Sequence, residues 1–285
     1  MANVKKQQFI LLSGALVLFI VFFFFGKTIP PKKSVPKTAS SAEPVSESTV
    51  SAGSLLTKAK QKLTSAQVEH VNQLQNAVIR GDIKKQQIDV YRQLASFWGD
   101  SIHEHHLGIY YLAEAAKLEN SEKNLNFAAR LFLDGLQTEA DPATVKWMGL
   151  QAKALLEKSL EINPDNDSAK VGIGVCYLFG NISEAPMQGI QMVRQVLEKD
   201  PTNAYAHLVL GLGSIRSGQL DRAVEHFEAV LKTQPENLEA IFSLAEAYER
   251  KGDKVNAVKW YTMARNKINV PEARKEIDER IKALQ

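Results

Sequence analysis

The chain has 285 residues, with 35 Lys and Arg against 32 Asp and Glu, a formal charge of +3 and a single cysteine. One cysteine excludes an intramolecular disulfide framework and leaves any metal site to histidines and carboxylates. The first 54 residues hold six lysines and two glutamates, which leaves the remainder at 29 basic against 30 acidic residues, without the basic stripe a nucleic-acid binder presents. Those lysines read as membrane-flanking, and no nucleic-acid partner is expected.

In chain order, Phe9 to Phe25 is a run of 17 uncharged residues, rich in Leu, Ile, Val and Phe. That is at the short end of a membrane-spanning helix, roughly 17 to 25 residues. A secretory signal peptide is the competing reading, but the run is longer than a signal core and ends in four phenylalanines with no small-x-small site. Residues 1–27 are therefore expected to be an uncleaved transmembrane anchor. The lysines on its two flanks nearly tie under the positive-inside rule, and the short N-tail followed by a Ser/Thr/Pro spacer favours an exported body on a bacterial inner membrane. Residues 28–54 carry four prolines and no aromatic residue, the composition of a tether that cannot bury a core.

Leu55 to Arg80 reads as one amphipathic helix closed by Gly81-Asp82. Beyond it the chain repeats. Ile241, Leu244, Ala245 and Tyr248 share a helix face, Gly252-Asp253 makes a turn, and Ala257, Tyr261 and Ala264 share the next face. The same grammar stands 34 residues earlier at His207, Leu210, Gly211 and Ser214, then Gly218, then Ala223, Phe227 and Val230. A third unit has Ile173, Gly174 and Tyr177, then Gly189, Val193 and Val196, with three extra residues placed between its helices as an exposed turn over Gly180–Pro186.

This pattern resembles the tetratricopeptide repeat (TPR) family, whose units alternate large and small residues on two antiparallel helices. The resemblance implies an all-α, right-handed solenoid over 55–285, with clear repeats at 167–203, 204–237 and 238–270, degenerate ones over about 86–166, and a polar capping helix at 271–285 that begins at Pro271. In the degenerate part, Tyr91, Leu94, Ala95 and Trp98 pair with Gly108, Leu112 and Ala115. Leu125, Ala128, Ala129 and Phe132 pair with Ala152, Leu156 and Ser159.

Chemistry is sparse. His103-Glu104-His105-His106 lacks the i, i+4 spacing of a helical metal pair, and Asp100 and Ser101 look like caps for a solvated first turn. Gly172-Ile-Gly174 and Gly211-Leu-Gly213 lack both the third glycine and the preceding strand of a dinucleotide loop, so close helix packing accounts for them. Cys176 reads as a buried thiol. No catalytic, cofactor or metal residue is nominated, and no enzyme activity is expected.

The resemblance also implies a ligand surface on the inner helices. Carried onto this sequence it falls on Val171, Val175 and Leu178; Tyr205, Leu208, Leu212 and Ile215; and Phe242 and Glu246, with Ser168, Glu239 and Glu249 beside them. None of these is the Lys, Asn or Arg of a carboxylate clamp. Exposed together they would exceed the apolar patch a monomer normally shows, so either an apolar or amphipathic segment of a protein partner covers them or the chain's own N-terminal helices do. The function expected is a membrane-anchored adaptor or scaffold, chaperone-like or translocon-associated. The alternatives are an assembly factor for a membrane complex, as in cytochrome c maturation, and a self-associating structural protein.

Overall fold

A computed structural model describes residues 50–80, 83–183 and 186–285. Among these residues there are thirteen α-helices, one π-helical turn and no strand. Phe9–Phe25 and the spacer up to residue 49 lie outside the described residues. Among those described, no helix is long and apolar enough to cross a membrane.

The segment read as one helix is two, α1 (Ala52–Lys60) and α2 (Ser65–Arg80). Ser51 and Ser54 cap each other reciprocally, so α1 starts inside the stretch read as tether. A second reciprocal pair restarts the helix: Gln67 N–H donates to Thr64 Oγ1 at 3.3 Å, and Thr64 N–H donates to Gln67 Oε1 at 2.9 Å. The chain continues as α3 (Lys84–Ser96), a π turn (Phe97–Ser101) and α4 (His105–Glu119). Asp100 and Ser101 finish that π turn and do not cap α4, whose N-cap Glu104 makes no side-chain cap bond.

The remaining helices form hairpins: α5 (Glu122–Gly135) with α6 (Pro142–Ile162), α7 (Asp167–Phe179) with α8 (Met187–Lys199), α9 (Ala204–Arg216) with α10 (Leu220–Thr233), and α11 (Leu238–Arg250) with α12 (Lys254–Lys267). Helix α13 (Pro271–Leu284) ends the array. Successive helices pack on one another, and α5, α7, α9 and α11 also touch in that order, which makes them one layer. The second helices form the other layer. A hairpin cannot bury its own face, and stacking completes the core.

The three turns that open α7, α9 and α11 have the same chemistry. Pro164, Pro201 and Pro235 each stand two residues before an asparagine, and Asn166, Asn203 and Asn237 accept from the N–H groups of Ala169, Ala206 and Ala240 at 2.9, 3.0 and 2.9 Å. Within the hairpins, Gly218 and Gly252 sit at φ of 74° and 78°, the left-handed geometry that reverses a chain after a helix. The longer α7–α8 turn is less exposed than its composition suggests, because Ile182 and Gly180 close over Gly149 of α6. A Cβ on Gly149 would come within 2.8 Å of Ile182.

Small and large residues then interlock. Phe227 and Tyr261 are fully buried beside Ala223 and Ala257. A Cβ on Gly211 would lie 2.5 Å from the Phe227 ring, and one on Gly174 would lie 2.4 Å from Val193, so both glycines serve helix approach. Upstream, Leu125, Ala128, Ala129, Phe132, Ala152, Leu156 and Ser159 are all buried, and Phe132 meets Trp147 edge-on at 5.6 Å.

Candidate partner-binding groove

The inner layer encloses a cavity of about 730 Å³. Its floor is apolar, built from Val175 and Phe179 of α7, Leu208 and Leu212 of α9, and Leu133 and Leu156 of the α5–α6 hairpin. Its rim is polar, with Lys123, Arg130 and Asp134 on α5, Gln137 just after it, and Glu239 on the first turn of α11. Gly172 lets α7 sit low in that floor, since a Cβ there would meet Leu156 at 2.9 Å and Leu133 at 3.4 Å.

The structure brings Val175, Tyr205, Leu208 and Leu212 together around this cavity, and Ser168 and Glu239 with them. Val171, 0% exposed, and Ile215, 7% exposed, are instead packed between helices, and Leu208 shows only 8% of its surface. Leu178, Phe242 and Glu246 fall outside the lining. Phe242 packs edge-on against Tyr261 at 5.4 Å, and Glu246 faces Arg250 at 3.6 Å. Glu249 is engaged by α12 and α13: it accepts from Arg280 Nε at 2.8 Å and from Tyr261 Oη at 2.6 Å. The large bare apolar patch is therefore absent, because stacking of neighbouring inner helices consumes about half of it.

Helix α5 is the wall that the three regular repeats did not reveal. Its Lys123, Asn126, Arg130 and Leu133 occupy, one repeat upstream, the register that Ser168, Val171, Val175 and Leu178 hold on α7. Extending that register would have found them. They bring Lys, Asn and Arg to the groove, so the wall is more polar and more basic than residues 168–249 alone implied. Phe127, on the same wall, is 55% exposed. Among the described residues, the helices α1 to α4 do not fill the space: the lining begins at Lys123, and α1 packs on α4.

Charges gather at the α11 end. Burial, with Cys176, Asp134 and Glu239 adding to it and Arg130 opposing, pushes the Tyr205 hydroxyl up to about 12. Glu239 keeps an exposed outer side, yet desolvation by the groove walls raises its carboxyl above the ordinary range. Asp134 acts in the same sense, while a hydrogen bond from Gln137 and the Arg130 charge oppose it. Arg130 and Asp134, both largely exposed, stand 3.7 Å apart.

Elsewhere, the histidines of the 103–106 run do not gather into a metal site. His103 turns the chain at φ of 60°, His106 faces Glu139 at 3.3 Å, and among the described residues no group of three or more His, Cys, Asp or Glu is placed to hold a metal. Burial pushes the Cys176 thiol up to about 12, far from the thiolate range.

A family model described as tetratricopeptide repeat matches residues 215–273, the end of α9 through α12 and into the start of α13. Over that stretch the chain reads as tetratricopeptide repeat. Among solved structures the chain is similar to PilW, described as a widely conserved type IV pilus biogenesis factor, at 17% identity over 69% of this chain and 92% of that one, with a TM-score of 0.46. It is similar to MamA 41-end from Desulfovibrio magneticus RS-1 at 22% identity over 66% and 96%, TM-score 0.42. It is also similar to YrrB, described as a TPR protein with an unusual peptide-binding site, at 18% identity over 67% and 91%, TM-score 0.40.

Proposed function

We propose that the chain is a protein–protein adaptor whose groove between α5, α7, α9 and the start of α11 receives an apolar or amphipathic segment of a partner protein. The observation that carries this reading is a cavity of about 730 Å³ with an apolar floor, a polar rim and an exposed phenylalanine on its wall. The floor supplies burial, at about 25 cal/mol per Å² of apolar surface covered, and the rim supplies orientation. The run Phe9–Phe25 acts as the membrane anchor in this reading, on the strength of its 17 uncharged residues, and holds the repeat body near a bacterial inner membrane on the exported side.

Photo-crosslinking from two groove positions, Phe127 and Leu212, and from the 81% exposed Val255 on α12 as a control, tests it. The expected result is the same crosslinked polypeptide at both groove positions, attached through an apolar or amphipathic stretch and lost in Phe127→Asp with helicity unchanged. Crosslinks at Val255 with none at the groove would sink the reading.

A further inference from the structure

Outside the groove lining, the α9–α10 hairpin brings two imidazoles together. His207, on the first turn of α9, and His226, midway along α10, place their Nδ1 atoms 3.0 Å apart, with ring centroids at 5.3 Å and planes tilted by 49°. Both residues are half-buried, so each ring keeps an outer side. The repeat does not call for polar groups here: one period later the same two positions hold Ile241 and Trp260.

The pair is wired as metal ligands are. His207 Nε2–H donates to the Pro201 carbonyl at 3.0 Å, which fixes its tautomer and leaves a lone pair on Nδ1. A ligating histidine is held in this way, by a backbone carbonyl on its second nitrogen. In the hydrogen bond between the rings, His226 Nδ1 carries the proton; with that proton on Nε2 instead, both Nδ1 atoms present lone pairs to one site. Two metal–imidazole bonds of about 2.0–2.1 Å set at a right angle end about 2.9 Å apart, and at a tetrahedral angle about 3.3 Å apart. The observed 3.0 Å is closer to the right angle, the geometry of Cu(II) and Ni(II) rather than Zn(II). The outer side of the rings leaves the remaining positions to water.

Burial, together with the charges of Arg194 and Arg222, keeps a proton off His226 and works against any cation at this place. Magnesium and calcium prefer oxygen ligands and have nothing to set against that cost. A copper or nickel ion has two nitrogen bonds. We propose that His207 and His226 form a two-imidazole site for a divalent late transition-metal ion, Cu(II) or Ni(II), which bridges α9 to α10 in place of the hydrogen bond between the rings. When filled, the site ties the helix that supplies Leu208 and Leu212 to the second helix of its own hairpin.

The test is calorimetric titration of nickel chloride into the full chain, beside His207→Gln, His226→Gln, and a chain carrying His103→Gln, His105→Gln and His106→Gln together. The expected result is one bound equivalent that survives the triple replacement and weakens at least tenfold in each single variant, with magnesium chloride giving no binding heat. Copper(II) added to the triple-replaced chain should show coupling to two imidazole nitrogens by electron paramagnetic resonance. That signal comes from the intact pair and does not depend on the single variants folding. Nickel affinity unchanged in His226→Gln overturns the site. An equivalent lost with the triple replacement belongs to the 103–106 run and overturns it too, as does a copper signal without coupling to two nitrogens.

Discussion

The hairpins from α7 to α12 and the helices from α1 to α4 solve the same packing problem with different means. Each regular hairpin opens on a proline followed two residues later by a capping asparagine, and its neighbour repeats the device. The first four helices share no such device. Two different reciprocal caps start α1 and α2, a π turn joins α3 towards α4, and Trp98 is wholly buried there with its indole N–H lacking an acceptor. Their ties are long-range and individual: Gln75 Nε2 donates to Tyr111 Oη at 3.0 Å, Lys62 reaches Glu104 at 2.7 Å, and Arg92 reaches Glu119 at 2.5 Å. The difference teaches that regularity in this chain resides in its connections, and that a region without the repeated connection must be held by contacts that no local rule foretells.

If the two regions are separable, removing the largest buried side chain of the first should spare the second. Trp98→Ala is expected to cost about 3–5 kcal/mol and to strip hydrogen-exchange protection from α1–α4 while α9–α12 keep theirs. Equal loss in α11 and α3 would show one cooperative unit and break the comparison. Acid probes the regular side. His207 Nε2–H donates to the Pro201 carbonyl at 3.0 Å, so its Nδ1 accepts from His226 Nδ1–H, also at 3.0 Å. Burial, then His207, Arg194 and Arg222, depress His226 to about 4. A depressed histidine contributes stability that is full above its unfolded value near 6.5 and lost as pH falls through 4. Melting across that window should show a loss of roughly 2 kcal/mol, discounted for partial exposure of the ring, and His226→Gln should flatten it. A flat wild-type profile would discard the pair as a contributor.

Smaller effects sharpen the contrast. Asn203→Ala should cost about 1 kcal/mol in denaturant melts, and Asn166→Ala and Asn237→Ala should match it within about 0.5 kcal/mol, because one cap is used three times. Unequal losses would mean that the turns only look alike. Smallest is Lys62→Ala: its ion pair to Glu104 is exposed on the lysine side, so the loss should stay under about 0.5 kcal/mol and vanish in high salt.

The sequence made the two-layer array legible wherever a small residue faces a large one at fixed spacing, as at Gly211 with Phe227 or Gly174 with Val193. It also contained the break between α1 and α2, in the Thr64-x-x-Gln67 box, which is easily passed over when no Gly or Pro marks it. The α5 wall was readable by carrying one register a repeat farther upstream. What no local pattern supplies is the π turn, which depends on Trp98 finding the α1–α4 core, and the withdrawal of Val171 and Ile215 from the groove. That withdrawal depends on how closely neighbouring inner helices approach each other.

Helix α13 docks Arg280 onto Glu249 and over the Tyr261 ring, at 5.1 Å. No Pro-x-Asn turn opens α13, so its joint to the last hairpin is made by side chains and is independent of the connection that the hairpins repeat. A spare hairpin spliced in ahead of Pro271, with the Pro-x-Asn opening of its neighbours, would extend the wall by one unit and give α13 a new partner.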